Sequence, residues 1–228
     1  MGDHAGNQVP RKLAKLGLPD EELSRHIGWD IGVAGLGTEL AIRLRAPFVR
    51  QRYSRLVIDC NRDPYRDDAI PAISDGISIA GNVGLSAAQR AARRREIFDP
   101  YHRRIAQELD QRAADGLSTL LVSLHSFTPS RAGQDRPGRY GVLHRNDSAA
   151  SRLMVTLLRK TLGKEVVGDN QPYSMDGTDF TIPHHADARG LDYLELEVRQ
   201  DLLADRAGQH AAAVLLEPLL RRVAATGA

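Results

Sequence analysis

The chain has 228 residues, 42% of them hydrophobic and 26% charged, and its 31 Lys and Arg against 29 Asp and Glu leave a net charge of +2. That length and balance fit one α/β domain with a sizeable core and exclude disordered and fibrous classes. A single cysteine, Cys60, beside eight histidines excludes an internal disulfide and any thiolate cluster, so a metal here has His and carboxylate as its ligands.

No run approaches the roughly 18 apolar residues of a membrane span, and no basic-then-apolar leader opens the chain. The expectation is a cytoplasmic protein without a membrane segment. In chain order, strand-like apolar runs alternate with amphipathic helical ones, the pattern of an α/β domain. Pro19-Asp20-Glu21-Glu22 predicts a helix start, with acidic side chains at the positive end of the helix dipole. A second helix is expected from about Ile31 to Arg45, carrying Val33, Leu36, Leu40 and Leu44 on one stripe. Phe48-Val49 and Leu56-Val57-Ile58 read as two short strands. From Asn61 to Gly84 the composition turns to Asp, Pro, Gly and Ile, which predicts a long ordered loop of a length that is often functional.

A long helix is expected from Ser86, its N-cap, to Ala114. The stretch Arg90 to Arg104 is dense in arginine, but Glu96 and Asp99 interrupt it and aromatic residues are only 5% of the chain. It reads as a solvated helical face, not a nucleic-acid surface. Leu117 to Leu124 reads as a strand buried on both faces, central in a mostly parallel sheet and ending at His125. A loop from Phe127 to Tyr140, a short strand Gly141-Val142-Leu143 and a helix from about Ser148 to Leu162 follow. The loop Gly168 to His185, the strand Tyr193 to Val198 and a closing helix from about Leu202 to Ala225 complete the chain. Without repeats or linkers, the reading is one domain over residues 1–228.

Polar groups collect at the ends of these strands, where open α/β sheets bind ligands. His125 follows an apolar strand directly, and Asp59, Asn61 and Arg62 follow Leu56–Ile58. Tyr193, Glu195, Glu197 and Arg199 share one face of the last strand by period two, opposite Leu194, Leu196 and Val198. Two carboxylates on so apolar a strand need a cation or metal nearby, unless the strand is a solvent-facing edge. His4 stands close to the front, in Asp3-His4-Ala5-Gly6-Asn7.

Together these motifs resemble the N-formylglutamate amidohydrolase family. The segments that carry the resemblance are Asp-His-Ala-Gly-Asn-Gln-Val-Pro (3–10), His-Ile-Gly-Trp-Asp (26–30), Tyr-Ser-Arg-Leu-Val-Ile-Asp-Cys-Asn-Arg (53–62), Val-Ser-Leu-His-Ser-Phe-Thr-Pro (122–129) and Leu-Glu-Val-Arg-Gln-Asp-Leu (196–202). They span nearly the whole chain in order. The family is related in fold to zinc carboxypeptidases and aspartoacylase. The resemblance therefore implies an α/β fold, with an open mixed, mostly parallel sheet, helices on both faces and one catalytic zinc. It implies hydrolysis of the N-acyl amide of an acidic amino acid, N-formyl-L-glutamate giving formate and glutamate in histidine breakdown, with a small-molecule substrate.

On the matching positions, the resemblance implies His4 and His125 as metal ligands. In the carboxypeptidase relatives a Glu ligand follows the first His by three positions. Asn7 stands there, a departure from that pattern, and the candidate third ligand is Asp30, at the acidic position of the family's Trp-Asp segment. Glu197 matches the general base, with Glu195 two residues back on the same face. Asn61 and Arg62 match the pair that grips the substrate carboxylate, where a planar guanidinium bonds bidentately. Arg55, Arg139 and His185 are further candidates for a second carboxylate or the oxyanion. Two other readings stay open: a deacylase or carboxypeptidase-like hydrolase of another substrate, and a metal-free binding protein of the same fold. In this fold a complete first strand normally precedes the His at position 4, whereas Met1-Gly2-Asp3 alone precede it. The resemblance thus predicts a chain short at its front, with His4 less well anchored than His125.

Overall fold

The computed structural model describes residues 1–145 and 148–226. The chain begins with α1 (Asp20–Ser24) and α2 (Val33–Leu44), then a small hairpin of β1 (Ile73–Ser74) and β2 (Ile77–Ser78). α3 (Ala87–Arg93) runs through a π-helical turn at Arg94–Phe98 into α4 (Asp99–Ala114). There follow β3 (Leu120–Phe127), a hairpin of β4 (Ser130–Arg131) and β5 (Gln134–Asp135), β6 (Tyr140–Leu143) and α5 (Ala149–Leu162). β7 (Val167–Asp169), α6 (Thr181–His185), β8 (Asp192–Arg199) and α7 (Arg206–Ala224) complete the order.

The main sheet has the order β3-β8-β6-β7, with β3 parallel to β8, β6 parallel to β7, and β6 antiparallel to β8. It is open and mixed. Leu194, Leu196 and Val198 of β8 pack with Leu36 and Leu40 of α2, Met154 and Leu158 of α5, and Leu216 and Leu220 of α7. Tyr193, on the opposite face, joins a second cluster with Ile105 and Leu109 of α4. Helices thus cover both faces. Alternation along β8 sorts its side chains as period two requires, but Glu195 and Glu197 are buried and β8 is paired on both sides, so it is no solvent-facing edge.

Most helix boundaries agree with the sequence. Ser86 caps α3 in a reciprocal capping box with Gln89, and Ser148 and Asp205 cap α5 and α7. The expected helix 86–114 is interrupted by the π-turn just before Pro100, which lacks the N–H that an α-ladder needs there.

Three expectations are corrected. Leu56-Val57-Ile58 is a buried turn, not a strand: Asn82 Nδ2 donates to the Leu56 carbonyl at 2.8 Å and Arg93 Nη1 to that of Val57 at 2.9 Å. Side-chain donors take the place of a ladder, so the apolar run fills the core without pairing. Phe48-Val49 is likewise no strand; Gly2 and Arg50 form an isolated parallel bridge beside it. Arg93 is buried and also donates to Asn82 Oδ1 (2.6 Å) and the Gly81 carbonyl (2.9 Å), so the arginine-rich stretch is not solvated throughout.

The strand expected to end at Leu124 runs on to Phe127, because β8 pairs with it through Phe127↔Arg199. His125 therefore stands inside a strand, directly across from Glu197. β3, expected to be central, lies instead at one end of the sheet order, and the first residues run along its outer edge: the Met1 ammonium donates to the Val122 carbonyl (2.6 Å) and Leu124 N–H to that of Met1 (3.0 Å). Gly2 in turn exchanges backbone bonds of 3.0 Å with Val49 and Gln51.

Candidate active site

His4, Asp30 and His125 converge, each offering one ligand atom, and these atoms lie within 4.8 Å of one another. Their elements explain why. His4 follows the Met1–Gly2 segment along β3, and its carbonyl accepts the Asp30 N–H at 2.8 Å. Asp30 sits on the turn into α2. That turn passes through Gly32 at φ +82, where a Cβ would stand 2.3 Å from that of Leu203. His125 is fixed by the β3–β8 ladder. Asp30 Oδ2 lies 2.9 Å from His125 Nδ1 and 3.6 Å from His4 Nδ1, while His4 Nε2 pairs with Asp59 Oδ1 at 2.7 Å. Both histidines are buried, at 2% and 4% exposure, so His4 is enclosed as fully as His125.

Asp3 adds a third carboxylate. Its Oδ1 accepts from the Tyr101 hydroxyl at 2.7 Å, and its Oδ2, 3.6 Å from His125 Nε2, has no hydrogen-bond partner among the described residues. Burial works against ionisation of Asp3, yet the attraction of the nearby His125 and His4 rings and the Tyr101 hydroxyl bond hold its carboxyl far below the usual range. Asp30 and Asp59 are likewise depressed against the effect of burial, Asp30 chiefly by Arg55 and His4, Asp59 chiefly by His4. Burial disfavours a charged His125, but the nearby Asp3 carboxylate and the bond to Asp30 outweigh this and raise its pKa well above the ordinary value.

Three ionised carboxylates thus face two imidazoles, with one guanidinium in contact: Arg55 touches the His4 ring and lies 3.3 Å from Asp30 Oδ1 and 3.8 Å from Asp59 Oδ2. Excess negative charge in so buried a place suits a divalent cation, and two imidazole nitrogens with a carboxylate suit zinc. The orphaned Asp3 Oδ2 points the same way. The residues present fit a metal.

Glu197 pairs with His125 across β3–β8, and Glu195 with Ser123. Burial raises both carboxyls to about 8, and among the described residues Glu197 Oε2 has no hydrogen-bond partner. On its other side Glu197 faces Gly141, where a Cβ would stand 2.2 Å from the Gln171 carbonyl oxygen, so only glycine lets the 171 segment pass this close to β6. His4, Asp30, Arg55, Asn61, Arg62, His125, Glu195 and Glu197 all line a cavity of about 1030 Å³.

Three sequence candidates lie apart from it. Asn7 Nδ2 donates to the Leu23 carbonyl at 3.3 Å and is not in the cluster. Arg139 is exposed and does not line the cavity; its carbonyl is taken by Arg199 N–H at the end of β8. His185 is buried outside the cavity, against His102.

Comparison with known proteins agrees with this architecture. A family model described as N-formylglutamate amidohydrolase matches residues 1–204. The chain belongs to the N-formylglutamate amidohydrolase family. The crystal structure of gene product Atu2144 from Agrobacterium tumefaciens superposes with a TM-score of 0.93 at 35% identity, covering 99% of this chain and 89% of that one. That of N-formylglutamate amidohydrolase from Ralstonia eutropha JMP134 gives a TM-score of 0.71 at 19% identity, covering 99% and 92%, a likeness of fold. No curated protein matches.

This amidohydrolase family member holds several site groups that the sequence did not single out. Asp3 was visible only as the neighbour of His4, and Asp179 and Tyr173, both lining the cavity, lay in a stretch read as loop. His102 is another. Its Nε2 lies 2.9 Å from the Cys60 carbonyl, which can only accept, so Nε2 carries the proton and Nδ1 is a lone pair. The proton in the 2.9 Å contact between His102 Nδ1 and His185 Nε2 therefore belongs to His185. Both rings are neutral donors in a chain, and burial lowers their pKa to about 4 and about 3.

A depressed folded-state pKa means that the unfolded chain takes up protons first as pH falls. The stability of this arrangement is whole above about 6.5 and shrinks as pH drops toward about 4. His125, whose pKa is raised, has contributed its share by pH 6.5. His102 alone should cost about 2 kcal/mol at pH 5 relative to pH 7. Glu195 and Glu197, raised to about 8, contribute over the same window with the opposite sign. Urea unfolding at the two pH values is therefore compared with that of His102→Asn, and an equal pH difference in the two proteins would contradict the neutral chain.

Proposed function

We propose that this protein hydrolyses the N-acyl amide of an acidic amino acid, with N-formyl-L-glutamate giving formate and L-glutamate as the leading reaction. The observation that carries the reading is the buried His4–Asp30–His125 cluster with Glu197 one strand away from His125 at the same register position. The three cluster residues would hold one zinc ion. What zinc supplies there, when bound, is Lewis acidity sufficient to bring the ionisation of a water near pH 7.

The protein's own groups do the rest. Glu197 acts in its ionised form, which its raised pKa of about 8 makes the minor one at pH 7. It takes a proton from the attacking water as the C–O bond forms and then passes it to the departing amide nitrogen as the C–N bond breaks. Arg62 holds the substrate carboxylate with its planar fork. Arg55, the guanidinium in contact with the cluster, faces the negative charge that develops on the carbonyl oxygen. This activity belongs in amino-acid breakdown, that of histidine in particular, and in the cytoplasm, where the lone buried Cys60 stays a thiol.

Metal content of the purified protein and formate release from N-formyl-L-glutamate test the proposal. Near-stoichiometric zinc with turnover is the expected result. Absence of bound zinc and of turnover after zinc addition would leave a metal-free binding protein instead. The cavity, at about 1030 Å³, favours a second reading in which a larger acyl group or a peptide is cleaved. Relative kcat/KM on N-formyl, N-acetyl and peptide substrates decides between the two.

A further inference from the structure

Arg62 is held at one nitrogen only. Its Nη1 donates to the carbonyl oxygens of Asn61 (3.0 Å) and Thr178 (3.4 Å) and to Asp179 Oδ1 (3.4 Å). Among the described residues, Nε and Nη2 have no protein acceptor, and the side chain, 29% exposed, lines the cavity. The two acceptor carbonyls are backbone; Asp179 is the charged one.

Asp179 is itself fixed from several directions. Its Oδ1 also accepts from Asn61 Nδ2 at 3.2 Å, and its Oδ2 accepts from the Asp176 N–H at 2.9 Å. Asn61 Oδ1 receives the N–H groups of Phe180 (3.1 Å) and Thr181 (2.9 Å), which lock the segment at the head of α6. Asp176 Oδ1 closes the loop by accepting from Thr178 N–H at 2.7 Å. Asn61 is thus committed to this network, with its side-chain oxygen facing the backbone of α6 instead of the cavity.

We propose that Asp179 is a positioning residue for carboxylate recognition: together with Asn61 it holds Arg62 by Nη1 and leaves the Nε–Nη2 edge as a preset fork for a substrate carboxylate. A guanidinium fixed in this way loses little freedom when it binds, which is where the gain in affinity arises. The inference deepens the proposed function and rests on its assignment of Arg62.

The test uses glutarate, a dicarboxylate without a scissile bond, titrated calorimetrically into the full chain, so that turnover is not needed. Asp179→Ala should weaken glutarate about tenfold, the scale of one charge-assisted hydrogen bond. Asp179→Asn, which keeps the Oδ1 acceptor, should recover most of that loss. In an Arg62→Ala background, Asp179→Ala should have little further effect, because nothing remains to be positioned.

A loop-scaffolding role would instead leave the two effects additive, and would overturn the proposal. Tighter glutarate binding by Asp179→Ala would overturn it too, showing that the carboxylate competes for Arg62. So would failure of the wild-type chain to bind glutarate. Where zinc and N-formyl-L-glutamate give no turnover but the glutarate cycle behaves as described, the reaction assignment fails and the positioning role stands.

Discussion

Replacing Glu197 with Gln is expected to lower kcat for N-formyl-L-glutamate by at least about a thousandfold, within the range that general acid–base groups supply. The substitution keeps shape and volume in a buried position between His125 and Gly141, so the fold should survive it. An amide cannot take the water proton, whereas the His4–Asp30–His125 donors are untouched. Zinc content should therefore match that of the unaltered protein. Wild-type turnover in E197Q would remove Glu197 from the mechanism and turn attention to Glu195, two residues away on the same face and equally raised to about 8.

His125→Ala should act on both metal binding and stability. It removes one of three ligand atoms, so zinc per chain should fall well below one after dialysis. It also withdraws the ring that lies between Asp30 Oδ2 at 2.9 Å and Asp3 Oδ2 at 3.6 Å. Two buried carboxylates would then face each other with less compensation, a change that typically costs about 3–5 kcal/mol. Urea unfolding of the metal-free variant reads that cost separately from the metal analysis. An unfolding free energy equal to that of the metal-free parent would show that His125 neutralises nothing.

Much of the architecture was legible in the sequence because period and capping are local. The alternation in Tyr193–Val198 separated the buried carboxylates from the Leu194, Leu196 and Val198 core face, and Ser86 with Gln89 announced its helix. His4, Asp30 and His125, which the resemblance implies as ligands, stand together in the structure. What the sequence concealed depends on contacts between distant segments. Leu56-Val57-Ile58 has strand composition, yet its carbonyls are met by Asn82 and Arg93 side chains 26 and 36 residues on. Asp59 meets His4 across 55 residues, and Asp3 meets Tyr101 across 98, so neither spacing carries a local signal. His185, a candidate for a second carboxylate or the oxyanion, is held apart by its hydrogen bond to His102 and by the packing of Phe98 and Phe180 around that ring.

The anchoring of the long 61–84 segment by Asn82 and Arg93 has a consequence for how substrate is met. Asn82 Nδ2 also donates to the Pro71 carbonyl at 2.7 Å, so both the middle and the end of the segment are tied to the core that carries Asp59, Asn61 and Arg62. Its conformational freedom is surrendered when the chain folds, not when a ligand arrives. That side of the cavity is a standing wall, and recognition of a carboxylate there needs no closing motion of this segment.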